Sequence, residues 1–177
     1  MWEDCFKNQF FNFQLTDNSL IQFHLISVRP LSVSYSYLEC PFDSLTYRDY
    51  LLQAGFDLEE VGESFRSDYE QYLTACGLKE TVTPIRYDFE PAAYSEGLHP
   101  ASHVHFGHIN DIRVGTQRIL KPISFILFIL RQIYPRTWEQ FHRLPDADQI
   151  AKHVRNSLSH IDAQLYNKLD TREMMLT

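Results

Sequence analysis

The sequence predicts an α+β fold, in which an antiparallel sheet packs against helices from the C-terminal half. The first observation is strict alternation of apolar and polar residues, typical of half-buried strands, at 31–37, 84–90 and 102–106. The second is apolar spacing typical of helices, at 43–77 and 121–170. Strands and helices are grouped rather than regularly alternating, and the length suits a single domain over residues 1–177.

The N-terminal segment 1–40 predicts a three-stranded β meander. The run "TDNS" at 16–19 and the pair Arg29-Pro30 are turn signals that separate stretches rich in β-forming residues. In "LSVSYSY" the serines face opposite to Leu31, Val33 and the two tyrosines, which predicts one buried and one solvated face. His24 lies inside this meander, and we expect a structural role for it.

Residues 43–77 are predicted to be helical. "DSLTYRDYLLQAG" begins with the capping residues Asp43 and Ser44 and ends at Gly55. "LEEVGESFRSDYEQYLTACG" then carries apolar residues at helical spacing, with its acidic residues near the start, and ends at Gly77.

The segment 82–115 contains the strongest functional signal. Four of the eight histidines fall within "HPASHVHFGH", at His99, His103, His105 and His108. If 84–90 and 102–106 pair as antiparallel arms with their apolar faces on the core, Arg86, Asp88, His103 and His105 share the polar face. His99 stands at the end of the connecting loop, and a short arm at 111–114 could bring Arg113 alongside.

This cluster supports three interpretations. His103 and His105 could exchange protons in phosphodiester chemistry, with Asp88 orienting one of them, His99 nearby, and Arg86 and Arg113 holding phosphate. Alternatively, His99, His103, His105 and Asp88 could bind a divalent metal, although their spacing matches no named zinc motif. Third, the cluster could be a solvated sheet face without chemistry. Either chemical interpretation requires a common, water-accessible hollow.

The segment 121–170 is predicted to be helical. Lys121-Pro122 begins "KPISFILFILRQIY", which is apolar nearly all round and predicts a central buried helix. Arg131 interrupts this run, so we expect it to pair with a carboxylate or to bind an anion beside the histidine cluster. The residues from Asp146 to Asp170 predict one long amphipathic helix with Ile150, Val154, Leu158, Ile161 and Leu165 inward.

Charge and composition limit the partners. The chain has a net charge of −7, yet residues 113–155 carry 8 basic and 3 acidic side chains. Nucleic acid could therefore bind only through this basic region, and a protein partner or a second copy is the other expected partner. The sequence shows no P-loop, dinucleotide fingerprint, signal peptide or membrane span, so we expect a cytoplasmic protein without an organic cofactor.

A family resemblance follows from "IRYDFEP", "HPASHVHFG", the downstream arginine, "KPISFILFILRQIYP" and Trp138. Together they resemble the uncharacterised bacterial family called domain of unknown function 2290, over roughly residues 84–138. The resemblance implies a bacterial, cytoplasmic protein and draws attention to the cluster described above. It implies no activity. The arrangement is also broadly similar to small toxin-like proteins of bacterial conflict systems.

A second, shorter pattern offers an alternative site. "RNSLSH" resembles the motif of the HEPN ribonucleases, in which an Arg and a His on one helix attack RNA without a metal. The matching positions are Arg155, Asn156 and His160. Those ribonucleases are all-helical, whereas half of this chain is predicted to be strands.

The leading functional hypothesis is a phosphodiester-directed, nuclease-like effector of a bacterial defence or toxin–antitoxin system, in which metal-free His and Arg chemistry is favoured over metal-dependent chemistry. The alternative is a non-catalytic, protein-binding subunit or antitoxin-like partner, in which the histidines serve only the sheet.

Overall fold

The computed structural model describes residues 1–107, 112–167 and 169–170. The helices are α1 (Trp2–Lys7), α2 (Tyr47–Gln53), α3 (Leu58–Val61), α4 (Arg66–Ala75), α5 (Pro122–Ile133), α6 (Pro135–His142) and α7 (Ala147–Asn156). The strands are β1 (Phe13–Gln14), β2 (Leu20–Val28), β3 (Leu31–Leu38), β4 (Ile85–Phe89), β5 (Ser102–Phe106), β6 (Arg113–Gly115), β7 (Arg118–Ile119) and β8 (Ser159–His160). Short 3-10 turns occur at Pro91–Ala93 and Ala163–Leu165.

The six strands from β1 to β6 form one sheet in sequence order, and β7 and β8 form a separate two-stranded sheet. Neighbouring strands run antiparallel, as the pairs β1–β2, β4–β5 and β5–β6 show. The predicted α+β class and the N-terminal meander are confirmed. In the described part of the chain, no helix has the length and apolar character needed to cross a bilayer.

The Cα positions divide into two compact units. The first unit comprises Met1–Gln22 and Tyr37–Pro84 and contains two apolar clusters, one around Trp2, Leu20, Leu38 and Cys40, the other around Tyr47, Leu51, Tyr69 and Leu73. The hydroxyl of buried Tyr69 accepts from Asn18 Nδ2 and donates to the Leu45 carbonyl, both at 2.6 Å. Both polar groups are hydrogen-bonded inside the cluster, which offsets the cost of removing them from water.

The second unit comprises Phe23–Ser36 and Ile85–Thr177, and it contains the histidine-rich strands. Its core forms where one face of the sheet meets α5, because Phe125 packs against Tyr35 with ring centroids 5.8 Å apart. Tyr87 of β4 lies beside Tyr35 at 5.5 Å, and burial raises the pKa of Tyr87 to about 12. Its hydroxyl hydrogen-bonds to Ser102 Oγ and accepts from the Leu120 amide, so the phenol stays neutral and satisfied.

Several helices differ from the sequence prediction. The predicted helix over 58–77 is two helices, because Gly62 adopts φ 53° between α3 and α4. The predicted all-round burial of α5 is wrong: Phe125 and Ile129 are buried on one stripe, whereas Ile123 is 46% exposed. The terminal helix α1 was not predicted.

The largest error concerns the predicted helix from Asp146 to Asp170. The helix α7 ends at Asn156, and the following residues pair as β8 with β7, so the helical assignment of 157–170 is wrong. Ile150, predicted to face inward, is 40% exposed, whereas Val154 is buried. The β7–β8 pairing is a tertiary interaction that the local apolar spacing does not reveal.

Candidate functional site

The register of β4 and β5 brings the predicted polar cluster together. Arg86 pairs with His105, and Asp88 pairs with His103. Directly opposed residues of antiparallel strands project to the same face, so these four side chains share one side of the sheet. The alternation of β4 is also confirmed, since Ile85, Tyr87 and Phe89 are buried on the other side.

Three donor atoms of this cluster converge. His103 Nε2 and His105 Nε2 are 2.8 Å apart, and Asp88 Oδ2 lies 3.3 Å from His105 Nε2 and 3.9 Å from His103 Nε2. One point within the triangle formed by these atoms lies about 2.0 Å from all three. Zinc–nitrogen and zinc–carboxylate bonds have this length. These residues form a group whose ligand atoms all lie within 4.8 Å of one another. Their donor set, two imidazoles and one carboxylate, is typical of divalent transition metals.

Further hydrogen bonds orient these donors. His103 Nδ1 lies 2.8 Å from the Pro100 carbonyl, which can only accept, so Nδ1 carries the proton and Nε2 presents its lone pair to the cluster. Asp88 Oδ1 accepts from Ser34 Oγ at 2.7 Å, which fixes the carboxylate plane. Partners of this kind hold the tautomer and direction of metal ligands.

Electrostatics keep the His103 imidazole neutral. Burial, and to a smaller extent the neighbouring charge of His105, lower the pKa of His103 to about 4, so the imidazole is neutral at pH 7. Arg86 Nε donates to Asp88 Oδ2 at 2.8 Å and balances the carboxylate. A neutral imidazole with its lone pair directed inward is suited to bind a cation.

The histidines are more buried than the sequence predicts. His103 is 1% exposed and His105 is 3% exposed, so the third interpretation, a solvated sheet face, is wrong for these two residues. The loop between β4 and β5 returns over them, with Pro100 and His99 against the His103 ring. The Asp88 side chain is 15% exposed and that of Arg86 is 40% exposed, so these two residues form the solvent-contacting side of the cluster.

The other predicted site residues are distributed differently. Arg113 pairs with His105 across β5 and β6, so it lies on the same face, and it is exposed. The ring of His99 contacts that of His103 edge-on at 4.8 Å, but the three-residue donor group leaves His99 outside. Arg131 does not join the cluster. It lines a groove with Val104, whose side chain points to the opposite face of β5.

The second predicted motif is not assembled as a helical pair. Arg155 and Asn156 are in the last turn of α7, whereas His160 is in β8 and pairs with Arg118. An Arg and His spaced along one helix are therefore not present at these positions. His108, the fourth histidine of the predicted cluster, lies outside the described residues.

Sequence reasoning missed Ser34 and Pro100, both of which orient the donors. The alternation of "LSVSYSY" placed Ser34 on the polar face, but nothing in it indicated that β3 would lie next to β4. Pro100 acts through its backbone carbonyl, for which the sequence offers no signal.

Comparison with known proteins extends the resemblance to nearly the whole chain. No curated protein and no solved structure matches the chain significantly. A family model described as "Uncharacterized conserved protein (DUF2290)" matches residues 1–175, well beyond the 84–138 core that carries the motifs. The chain therefore belongs to the DUF2290 family of uncharacterised conserved proteins.

Proposed function

We propose that Asp88, His103 and His105 bind a divalent transition metal, and that the protein is a metal-dependent hydrolase directed at phosphodiesters. The observation that carries this proposal is the common point about 2.0 Å from all three donor atoms. Three protein ligands leave a coordination position for water or substrate, as in catalytic zinc sites.

The same geometry disfavours the metal-free chemistry that the sequence analysis favoured. In an in-line displacement, the attacking and leaving oxygens are on opposite sides of phosphorus, so an acid and a base must flank it. Nitrogens 2.8 Å apart leave no space for a phosphoryl group between them. With its pKa at about 4, His103 also carries no proton to donate from Nε2 at neutral pH.

The reaction class follows from the cations on the same face. A bound metal lowers the pKa of its water and so supplies a hydroxide nucleophile near pH 7. Arg86 and Arg113, which pair with His105 from either side in the sheet register, would counter the charge that develops on phosphorus. The biological setting that we propose, a bacterial defence or toxin–antitoxin system, rests on the sequence likeness alone.

Zinc titration tests the metal site. Protein stripped with EDTA should bind one Zn²⁺ per chain by calorimetry. Loss of a residue that only orients a metal ligand costs roughly 10–100-fold in metal affinity. His105→Ala and Asp88→Asn each remove a ligand, so they should weaken zinc binding by more than this. His24→Ala removes an exposed histidine from β2 and is the matched control, which should bind like the wild type. Equal affinity in His105→Ala and His24→Ala would exclude this site.

Hydrolysis tests the activity. The zinc-loaded protein should hydrolyse bis(p-nitrophenyl) phosphate and labelled single-stranded RNA or DNA, and both rates should vanish in EDTA and in His105→Ala. Zinc binding without hydrolysis would retain the metal site and exclude the enzymatic role. Full hydrolysis in EDTA would exclude metal dependence.

One observation favours the non-catalytic alternative. Aliphatic side chains at the end of the β2–β3 hairpin are strongly exposed, with Leu25 and Ile26 at 63% and Val28 at 67%. Side chains alternate along a strand, so Ile26 and Val28 share one face of β2. Exposed apolar residues on one face mark protein interaction sites, and we propose a second copy of the chain as the occupant. Light scattering should then give twice the chain mass, and Ile26→Lys should give the monomer mass. A monomeric wild type would exclude a second copy as the occupant of this surface.

A further inference from the structure

A groove in the second unit combines positive charge with an apolar floor. It has a volume of about 480 Å³, within the range of small-ligand sites. It lies between α5, the start of α6, α7 and the strand β7. The lining residues that matter below are Arg118, Arg131, Arg155, Phe128, Trp138 and Leu158.

The charge of this groove has one sign. Three arginines line it, and its lining includes no acidic residue. None of the three forms an ion pair within the described part of the chain. Arg131 and Arg155 are in the last turns of α5 and α7, where the helix dipoles favour a cation. The dipoles explain a cation at each helix end, but they do not explain why both arginines line the same groove.

One of these cations is held in place by the fold. Arg118 is half-buried in β7, and its Nη1 donates to the Leu158 carbonyl at 3.3 Å. Its backbone is fixed by pairing with His160 of β8. A guanidinium fixed in this way has lost part of its conformational entropy before a ligand arrives, and its planar fork matches phosphate oxygens.

The floor of the groove is apolar and partly aromatic. Trp138 is half-buried and stacks on Phe141 with centroids 5.3 Å apart, which holds the indole in position. Phe128 of α5 also lines the groove. Aromatic side chains held in this way are stacking surfaces for the planar rings of nucleobases.

The groove is distinct from the three-donor cluster. Val104 lines it, whereas His103 and His105 on either side in β5 project to the opposite face of the sheet. A ligand in the groove therefore does not contact Asp88, His103 or His105.

We propose that this groove binds a nucleotide unit, with its phosphate on Arg118, Arg131 and Arg155 and its base against Trp138 and Phe128. The volume accommodates one nucleotide, which arrives either free or as part of a single strand. This site does not depend on the proposed metal centre.

Calorimetry in EDTA at low salt tests the proposal with four probes: ADP, adenosine, inorganic pyrophosphate and a single-stranded tetranucleotide. ADP should bind more tightly than adenosine or pyrophosphate, because only ADP fills both parts of the groove. Arg131→Gln and Arg155→Gln should each weaken ADP binding roughly tenfold or more, as expected for loss of a charged hydrogen bond. Arg136→Gln is the matched control, since Arg136 is an exposed arginine of α6 outside the lining.

The outcomes separate clearly. Tighter binding of the tetranucleotide than of ADP identifies a strand as the source of the nucleotide unit, and the reverse order identifies a free nucleotide. Pyrophosphate binding as tight as ADP binding would overturn the proposal, because the apolar floor would then play no part. Equal ADP affinity in Arg131→Gln, Arg155→Gln and Arg136→Gln, or no ADP binding, would also overturn it. The substituted side chains are exposed, so thermal unfolding should confirm that all three variants fold.

Discussion

Acidification should destabilise the protein through His103. This imidazole is 1% exposed, and its pKa is lowered from 6.5 to about 4, chiefly by burial. In the unfolded chain the same group titrates at its ordinary value. Below pH 6.5 the unfolded state therefore binds a proton that the folded state does not, and the free energy of unfolding falls as the pH falls.

The size of the effect follows from the two pKa values. The contribution of His103 to the free energy of unfolding is fully present above pH 6.5. It is lost progressively down to pH 4, where the folded state also takes up the proton. The loss from this one group is about 2 kcal/mol between pH 7 and pH 5, and about 3 kcal/mol by pH 4. This is a large fraction of the stability of an ordinary domain, roughly 5–15 kcal/mol.

Urea unfolding followed by circular dichroism at a series of pH values measures this loss. The measurement is made in EDTA, so that metal binding does not contribute. His103→Gln should show a pH dependence smaller by about 2 kcal/mol between pH 7 and pH 5. His24→Ala, which removes an exposed imidazole, should retain the wild-type dependence.

An identical acid dependence in His103→Gln and the wild type would refute this explanation. So would direct observation of the imidazole by NMR if His103 were protonated at pH 6, since the structure keeps it neutral with its proton on Nδ1.

Other substitutions test separate parts of the structure. Ser34→Ala removes the hydrogen bond to Asp88 Oδ1 and should weaken zinc binding roughly 10–100-fold by calorimetry, and unchanged affinity would exclude an orienting role. Arg86→Gln should retain zinc but lower phosphodiester hydrolysis, and an unchanged rate would remove Arg86 from the reaction. Phe125→Ala should lower the free energy of unfolding by roughly 3–5 kcal/mol, because it leaves a cavity at the centre of the second unit. A decrease below about 1 kcal/mol, measured by urea unfolding, would contradict the central position of Phe125.

The strands and the side on which their residues lie could be predicted from the sequence. Strict alternation in β4 and β5 fixes which side chains share a face, and a connection by one loop without a long helix favours antiparallel pairing. Alternation does not indicate what covers a face. The loop that carries Pro100 folds over His103, so a polar stripe that the pattern assigns to solvent is buried.

The prediction of one long C-terminal helix was wrong for a related reason. The apolar spacing after Asp146 continues past Asn156 without a glycine or proline, so local signals give no stop. The chain leaves the helix because Ser159 and His160 find strand partners in β7, more than 35 residues earlier in the sequence. The groove that gathers Arg118, Arg131 and Arg155 depends on this same long-range contact, so it could not be anticipated from the motif at 155–160.

The central claim is that one divalent metal lies between Asp88, His103 and His105. The most direct measurement is anomalous diffraction at the zinc edge from crystals of the full chain grown with Zn²⁺. We predict one strong peak about 2.0 Å from Asp88 Oδ2 and both Nε2 atoms. A zinc peak elsewhere, with the two imidazoles still in direct contact at 2.8 Å, would contradict the claim.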